Sequence, residues 1–447
     1  MWTINQMATQ IPSNNTLNIP TLDVPRVVII GGGFAGLKLA RNLNSDDIQT
    51  VLLDENNYHT FQPLMYQVAT AGLEPDSIAY PLRKTLKKKK RTHIRMTKVE
   101  NIDFVQQKVI TTIGDIRYDY LVIATGAKTN YFGNQNIEKH AMPMKSLTET
   151  LDLRSLILQN FEKALTQNAE EEKDSFMNFM IVGGGPTGVE LAGALSELKQ
   201  HVLPKDYPDL DIRRMQIHLI EAGPKLLGAM SKEASENAEK YLRKLGVNVW
   251  TETMVKDYDG KTVTTSKEVF QSKTLIWAAG VTGNIPNGVS SDFLEQNRIV
   301  VDQHGQVKGL ENVYAMGDVS MMKTEEFPQG LPMLASVAQQ QGGYMAKTIK
   351  DQVRGKEIKP FKYVDKGTMA TIGRNLAVVD LGKIHFGGWF AWLTWLLVHL
   401  MLLVDFRSRM VVFVNWVWSY VNFDRGTRLI VRKFSRKNIQ KKEAKLF

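Results

Sequence analysis

The stretch RVVIIGGGFAGLKLARNL, Arg26 to Leu43, decides how the rest of the chain is read. A short run rich in β-branched residues leads into three glycines, and the glycines lead into a segment with helical spacing. Gly31, Gly33 and Gly36 fall at G-x-G-x-x-G positions, with Phe34 and Ala35 between the last two. That spacing suits a strand–turn–helix that grips a pyrophosphate. The first glycine permits the turn, the second lets the backbone come close to the phosphates, and the third lets the helix pack on the strand. The helix N-terminus then presents free N–H groups and the positive end of its dipole to the anion. The next strand, TVLLD, ends at Asp54, 23 positions after Gly31. A carboxylate there is placed to accept hydrogen bonds from ribose hydroxyls.

The same unit recurs. FMNFMIV is followed by Gly183-Gly184-Gly185-Pro186-Thr187-Gly188 and then by VELAGALSEL, and the strand MQIHLIE closes on Glu221. Glu221 lies 38 positions after Gly183, with HVLPKDYPDLDIR as the insertion that lengthens the interval. An acid at this place, with no arginine directly after it, favours a free 2′-hydroxyl and so NAD over NADP. Further apolar runs ending in glycine or acid (YDYLVIATG, KTLIWAAG, NVYAMGD) read as buried parallel strands. Thr125-Gly126 and Gly317-Asp318 close two of them, and Asp318 is placed to bond the ribityl chain of a flavin. The expected fold is therefore α/β, with two Rossmann-like dinucleotide-binding domains. Two nucleotide sites in one chain point to hydride transfer between two bound carriers, a nicotinamide and a flavin.

Composition narrows the chemistry. The 447 residues are 43% apolar and 23% charged, which excludes a disordered, collagen-like or polytopic membrane chain. There is no cysteine, which removes disulfide frameworks, thiolate zinc or iron–sulfur sites and every cysteine-based redox relay. The net charge of +10 is concentrated in two places. Arg83 to Arg95 holds eight bases and no acid, while Phe406 to Phe447 holds eleven bases against two acids. Before and within that tail lie Trp389–Val404 and Met410–Val421, which contain five of the eight tryptophans. The first stretch is short for a bilayer core of about 30 Å, and the second is shorter still. Tryptophans and bases beside an apolar segment suit the interface of an anionic leaflet, and the expectation is monotopic attachment through residues 386–447 at the cytoplasmic face of the cell membrane. Nothing marks a nucleic-acid-binding fold, so no nucleic-acid partner is expected.

The chain resembles the type II NADH:quinone oxidoreductases, the single-subunit, non-pumping respiratory NADH dehydrogenases. The resemblance rests on GGGFAG, DENNYHTFQPLMYQVATAGL, GGGPTGVELAGAL, LIEAGPKLL, AMGD, LPMLASVAQQQGGYMA and KGTMATIGRNLAVVD, and it extends from about Val24 to Ile430. It implies FAD at the first glycine motif with Asp54, Thr125, Gly126 and Asp318, and with Lys366 near the pyrimidine end of the flavin ring. It implies NADH at Gly183, Gly185, Gly188 and Glu221, and Glu190 close to where nicotinamide meets flavin. It implies a membrane quinone as acceptor near Gln340; Ser336 stands where the family has another glutamine. The expected division is an arm at 1–23, an FAD domain at 24–150 and 290–385, an NADH domain at 151–289, and an anchor with basic tail at 386–447. A homodimer is left open. The rival readings are a soluble reductase of a rubredoxin- or ferredoxin-type carrier, which has no use for Trp389–Val421, and a flavin-binding scaffold protein with little turnover.

Overall fold

A computed structural model describes residues 17–423 and 425–435, and the chain divides into two compact units. The first takes residues up to His59, Pro81–Lys128 and Thr282–Val364. Its centre is a five-stranded parallel sheet in the order Val313–Ala315, Tyr120–Ile123, Arg26–Ile30, Gln49–Asp54, Thr92–Met96. The strand that carries the glycine motif is central. Alternate residues of these strands feed two cores, because side chains on a strand point to opposite faces. Val27, Ile29, Leu52 and Val122 pack on one side, and Val28, Ile30, Val51, Leu53 and Ile123 on the other. The helices Phe34–Asn42 and Ala335–Val353 cross on the first of these faces. Glycine allows the crossing, since a Cβ at Gly342 would stand 2.4 Å from the Ala35 carbonyl oxygen.

The second unit takes Thr60–Tyr80, Thr129–Val281 and residues from Asp365 on. It repeats the plan, with parallel strands in the order Met142–Pro143, Thr274–Trp277, Asn178–Val182, Gln216–Ile220, Asn248–Trp250. Each unit also carries a three-stranded antiparallel sheet between two of its parallel strands in sequence, beginning at Val99 ahead of Tyr120–Ile123 in the first and at Val255 ahead of Thr274–Trp277 in the second. A further antiparallel sheet, Thr368–Gly373, Leu376–Leu381 and Ile384–Gly388, lies in the second unit.

The division differs from the expected boundaries at four places. Met142–Pro143 is an edge strand of the second sheet, so 129–150 belongs there. Residues 282–289 go to the first unit. Met65–Ala69 packs on the helices Leu147–Ala164 and Pro186–His201. Residues 365–385 press on Pro186–His201 so closely that a Cβ at Gly193 would come within 1.7 Å of the Ile372 oxygen. Residues 1–16 of the expected arm lie outside the described residues; from Leu17 on, the expectation of a free arm is overturned. Leu17 and Ile19 are buried in the core shared with Val28 and Ile30, and the Arg95 guanidinium donates to the carbonyls of Leu17 and Asn18 at 2.7 Å each.

The C-terminal helices are Trp389–Leu402 and Phe406–Asn422, about 21 and 25 Å long. Among the described residues no helix is long and apolar enough to cross a membrane. The polar stretch that reads as a break in sequence is the start of the second helix. Asp405 caps it by accepting from the backbone N–H groups of Arg407 and Ser408, at 2.7 and 3.3 Å.

Candidate functional site

The two glycine motifs form two matching cradles, one in each unit. Gly31 and Gly183 adopt φ of +102° and +110°, and a Cβ at either would lie 2.4 Å from a carbonyl oxygen of the neighbouring strand end, Ala124 or Ala278. Gly36 and Gly188 bring their helices onto the turn: a Cβ there would lie 1.8 and 2.0 Å from the carbonyl oxygens of Gly31 and Gly183. Gly33 and Gly185 face open space with nothing within 4 Å. They are also the N-caps of Phe34–Asn42 and Pro186–His201, and neither helix has a side-chain cap. Each cradle thus has the room, at the start of a helix that no side chain caps, that a dinucleotide pyrophosphate requires. Pro186 pre-sets the first turn of the second helix.

The acids at the strand ends act partly on the loops themselves. Asp54 accepts from Gly32 N and Asn56 N at 2.6 Å each, and burial holds its carboxyl above the usual range. Glu221 does the same for Gly184 N and Gly223 N, again at 2.6 Å. Each carboxylate braces its glycine loop. In the first unit Thr125 Oγ1 donates to Asn284 O at 2.6 Å, and Gly126, at φ +71°, again faces open space. Asp318 lies in the turn Gly317–Val319, with the buried Arg298 as its electrostatic partner.

Two residues that the sequence reading left without a role complete this first cradle. His59 is buried and neutral, its pKa lowered to about 4 by burial; its Nδ1 lies 3.0 Å from Gly32 O and its ring packs edge-on to Phe34. Gln341, also buried, accepts the Gly317 N–H at 2.7 Å and so fixes the turn carrying Asp318. Both stand in sequence blocks singled out above (NNYHTFQPL and AQQQGG), but one glutamine or histidine in a block carries no signal of its own.

The structure does not leave Gln340 free. Its amide donates to Val364 O at 2.9 Å and accepts from Val364 N at 3.1 Å, while Ser336 Oγ meets Tyr363 Oη at 3.2 Å. Both residues tie the first unit's helix to the segment ahead of Asp365. Lys366 is exposed in the second unit, beside Gly367 at φ +82°.

Glu190 lies on Pro186–His201, is buried, and lines a cavity of about 400 Å³ within the second unit. The cavity is walled mainly by the C-terminal helices, with Trp392, Trp395, Leu396, Leu400 and Phe413 among its apolar residues. Burial raises the Glu190 carboxyl to about 8, partly opposed by Thr371 N, which approaches at 3.4 Å, and by the Trp395 indole. It is therefore mostly protonated at neutral pH. At the polar end, Glu197 accepts from the buried Arg425 guanidinium at 2.9 Å and from Arg374 N at 2.5 Å. The Arg374 guanidinium lies 3.6 Å over the Phe423 ring and donates to Ser419 O at 2.6 Å. Trp416 Nε1 donates to Gln67 Oε1 at 2.8 Å.

Two cradles of this kind in one chain define a two-dinucleotide-binding oxidoreductase, and residues 25–342 match the family model described as pyridine nucleotide-disulphide oxidoreductase. Having no cysteine, the chain retains the nucleotide machinery of that class without its disulphide. Residues 366–423 match the model of the NDH2 C-terminal domain. The chain is 35% identical to the type II NADH:quinone oxidoreductase Ndh of Mycobacterium tuberculosis over 94% of each protein. It is 29% identical to the type II NADH:quinone oxidoreductase of Staphylococcus aureus, over 79% of this chain and 89% of that one. The solved NDH2 of Plasmodium falciparum in complex with NADH has the same fold, with a TM-score of 0.84 at 21% identity, over 91% of this chain and all of that one. The sulfide:quinone oxidoreductase of Aquifex aeolicus is a more distant likeness, with a TM-score of 0.66 over 95% of both. The chain belongs to the type II NADH:quinone oxidoreductases. It is an FAD enzyme that oxidises NADH and reduces a quinone.

Proposed function

We propose that the two half-reactions divide between the two units' cradles and the cavity of the second. FAD is held by the loop of Gly31, Gly33, Phe34, Ala35 and Gly36, with Asp54 at its ribose and Thr125, Gly126 and Asp318 along its length. Lys366 is assigned to the flavin's pyrimidine end. NADH is held by Gly183, Gly185, Gly188 and Glu221. When bound, the flavin supplies the acceptor for the hydride of NADH and the source of two electrons for the quinone. The balanced reaction, NADH + H⁺ + quinone → NAD⁺ + quinol, consumes one proton beyond the hydride.

The quinone occupies the apolar cavity and Glu190 supplies that proton. The observation that carries this reading is a buried carboxyl, raised to about 8, on the wall of an apolar cavity large enough for an aromatic head group. A protonated acid in a water-poor site has a pKa matched to donation near neutrality. After transfer the carboxylate is opposed by burial and takes a proton back.

The C-terminal helices attach the enzyme to the cytoplasmic leaflet from one side. They expose Phe390, Met401, Phe406, Val414, Trp418 and Val421, an apolar surface that soluble proteins seldom leave uncovered. Quinone would then reach the cavity from lipid through the helices that line it. The test is an anaerobic stopped-flow series: flavin bleached by NADH, then reoxidised by a short-chain quinone, between pH 6 and 10. Reoxidation is expected to fall about tenfold per unit above roughly pH 8; a profile flat to pH 10 would remove Glu190 as donor. Flotation with anionic vesicles tests attachment, which Phe406→Glu with Trp418→Glu should abolish.

A further inference from the structure

Among the described residues, one buried indole N–H in the cavity lacks a partner in hydrogen-bond geometry. Trp395 is only 1% exposed, and its indole Nε1 has no hydrogen-bond partner among the described residues. A buried N–H left without an acceptor loses the hydrogen bond it made to water, and such groups are rare in folded proteins. The contrast with Trp416, whose Nε1 is bonded to Gln67, shows that the helix pair can satisfy an indole when it needs to. The ring of Trp395 is also held in one orientation. His399 stacks on it at 4.1 Å with 21° between the planes, Trp416 packs at 5.8 Å and Tyr66 at 6.4 Å. His399 is itself fixed by the contact of its Nδ1 with Trp395 O at 2.9 Å.

Glu190 lines the same cavity, and the indole N–H faces its carboxyl without meeting hydrogen-bond geometry. The indole N–H and the Glu190 carboxyl therefore converge in the cavity, close enough for the indole to hold the carboxyl's pKa down but without a well-formed hydrogen bond between them. This inference rests on the reading of the cavity as the quinone site. We propose that Trp395 is a positioning residue for the acceptor: its indole N–H donates to one carbonyl oxygen of the quinone and holds that oxygen beside Glu190. A carbonyl oxygen has two lone pairs and can meet both groups, which an alkyl chain cannot. The contact also strengthens as the quinone is reduced, because the accepting oxygen gains negative charge. Trp395 belongs to a helix whose outer residues, Phe390, Leu397 and Met401, are exposed and apolar. The helix assigned to the membrane surface thus also supplies a polar contact to the acceptor.

The charged and titratable groups around the pair set the background for the test. Tyr66 comes from Met65–Ala69, Glu197 from the helix of Glu190, Arg374 from the turn after Thr368–Gly373, and Arg425 from beyond the last helix.

The experiment is Trp395→Phe in the full-length holoenzyme, which keeps the stacked ring and removes the N–H. Two quantities are read: the dissociation constant of a decyl-substituted benzoquinone for the oxidised enzyme, and the steady-state KM and kcat for the same quinone. The expected result is a Kd and KM raised about tenfold, the loss of one buried hydrogen bond, with kcat lowered less than threefold. Trp395→Tyr, which restores an O–H donor on a ring of similar size, should recover part of the affinity. It decides the question if Trp395→Phe loses its flavin or its cooperative melt. Wild-type Kd and KM in Trp395→Phe would overturn the proposal. Ala194→Phe, which fills the cavity, then tells which part has failed. Affinity lost in Ala194→Phe but not in Trp395→Phe leaves the quinone in the cavity and removes only the indole contact. Affinity unchanged in both removes the quinone from this cavity, and the proposal falls with that reading.

Discussion

Replacing Glu190 by glutamine should stabilise the protein, and by an amount that depends on pH. The carboxyl's pKa is raised from 4.5 to about 8 in the folded chain, with burial as the main cause. A raised acid pKa means that the native state binds a proton the unfolded state has lost, so stability falls as pH rises through the window between the two values. Below about pH 4.5 both states are protonated and glutamine brings no advantage. Above that, wild type forgoes ionisation on folding and the amide has none to forgo. At 1.36 kcal/mol per unit, the difference reaches about 3 kcal/mol at pH 7 and levels off near 5 kcal/mol above pH 8. Little is lost in exchange, because the Thr371 N–H approaches at 3.4 Å and can still meet an amide oxygen. In a chain of this size 3 kcal/mol corresponds to a few degrees of apparent melting temperature.

The assay is a set of thermal melts of wild type and Glu190→Gln at half-unit intervals from pH 4.5 to 9. The gap should open steadily up to pH 8 and then stay constant. A gap that is flat across this range, or a glutamine variant that melts lower throughout, would mean that Glu190 is solvated or paired and that its assignment as a neutral acid is wrong. Quinone reduction should meanwhile fall by about 100-fold or more, the usual contribution of a positioned proton donor. Together the two results would place Glu190 among residues kept at the expense of stability because the reaction requires them.

Three further outcomes follow from the geometry. Gly31→Ala forces a Cβ to 2.4 Å from Ala124 O at a φ of +102°, and the purified protein should lack the flavin absorbance of wild type. Gly183→Ala, with the same clash against Ala278 O, should keep its flavin but raise the KM for NADH by about tenfold or more, as measured by initial rates. Arg425→Met leaves Glu197 facing a cavity without its buried partner and should cost roughly 3 kcal/mol in denaturant unfolding, while adding Glu197→Gln should restore most of it.

What the sequence made legible is the part governed by short-range rules. Each G-x-G-x-x-G motif was readable because its glycines are dictated within six residues of chain, by a turn that needs positive φ and a helix that must touch the turn. The strands were readable because parallel strands buried on both faces are continuously apolar. What escaped depends on pairings between segments distant in sequence. That Gln341 serves Gly317, 24 residues away, and that Gln340 spends its amide on Val364 follow only from where the helix Ala335–Val353 lies. The glutamines are adjacent, one buried and one partly exposed, and nothing in AQQQGG distinguishes them.

Glu190 shows the same limit from the other side. In sequence it is an acid near the start of a helix, on the side where the dipole would favour its charge. In the structure the opposing influence is larger. The wall that dehydrates the carboxyl comes from residues some 200 positions later, in helices whose apolar sequence reads first as a means of holding a membrane. One segment therefore has two consequences. On the proposed reading its outward residues cover themselves in lipid, while its inward residues, Trp395 above all, wall the cavity in which Glu190 is held protonated. An anchor of the same hydrophobicity but different inward residues would still bind the membrane and would leave Glu190 a solvated carboxylate. On that proposal the inward face of Trp389–Leu402, rather than its overall apolarity, is the feature that ties membrane attachment to the chemistry of the acceptor.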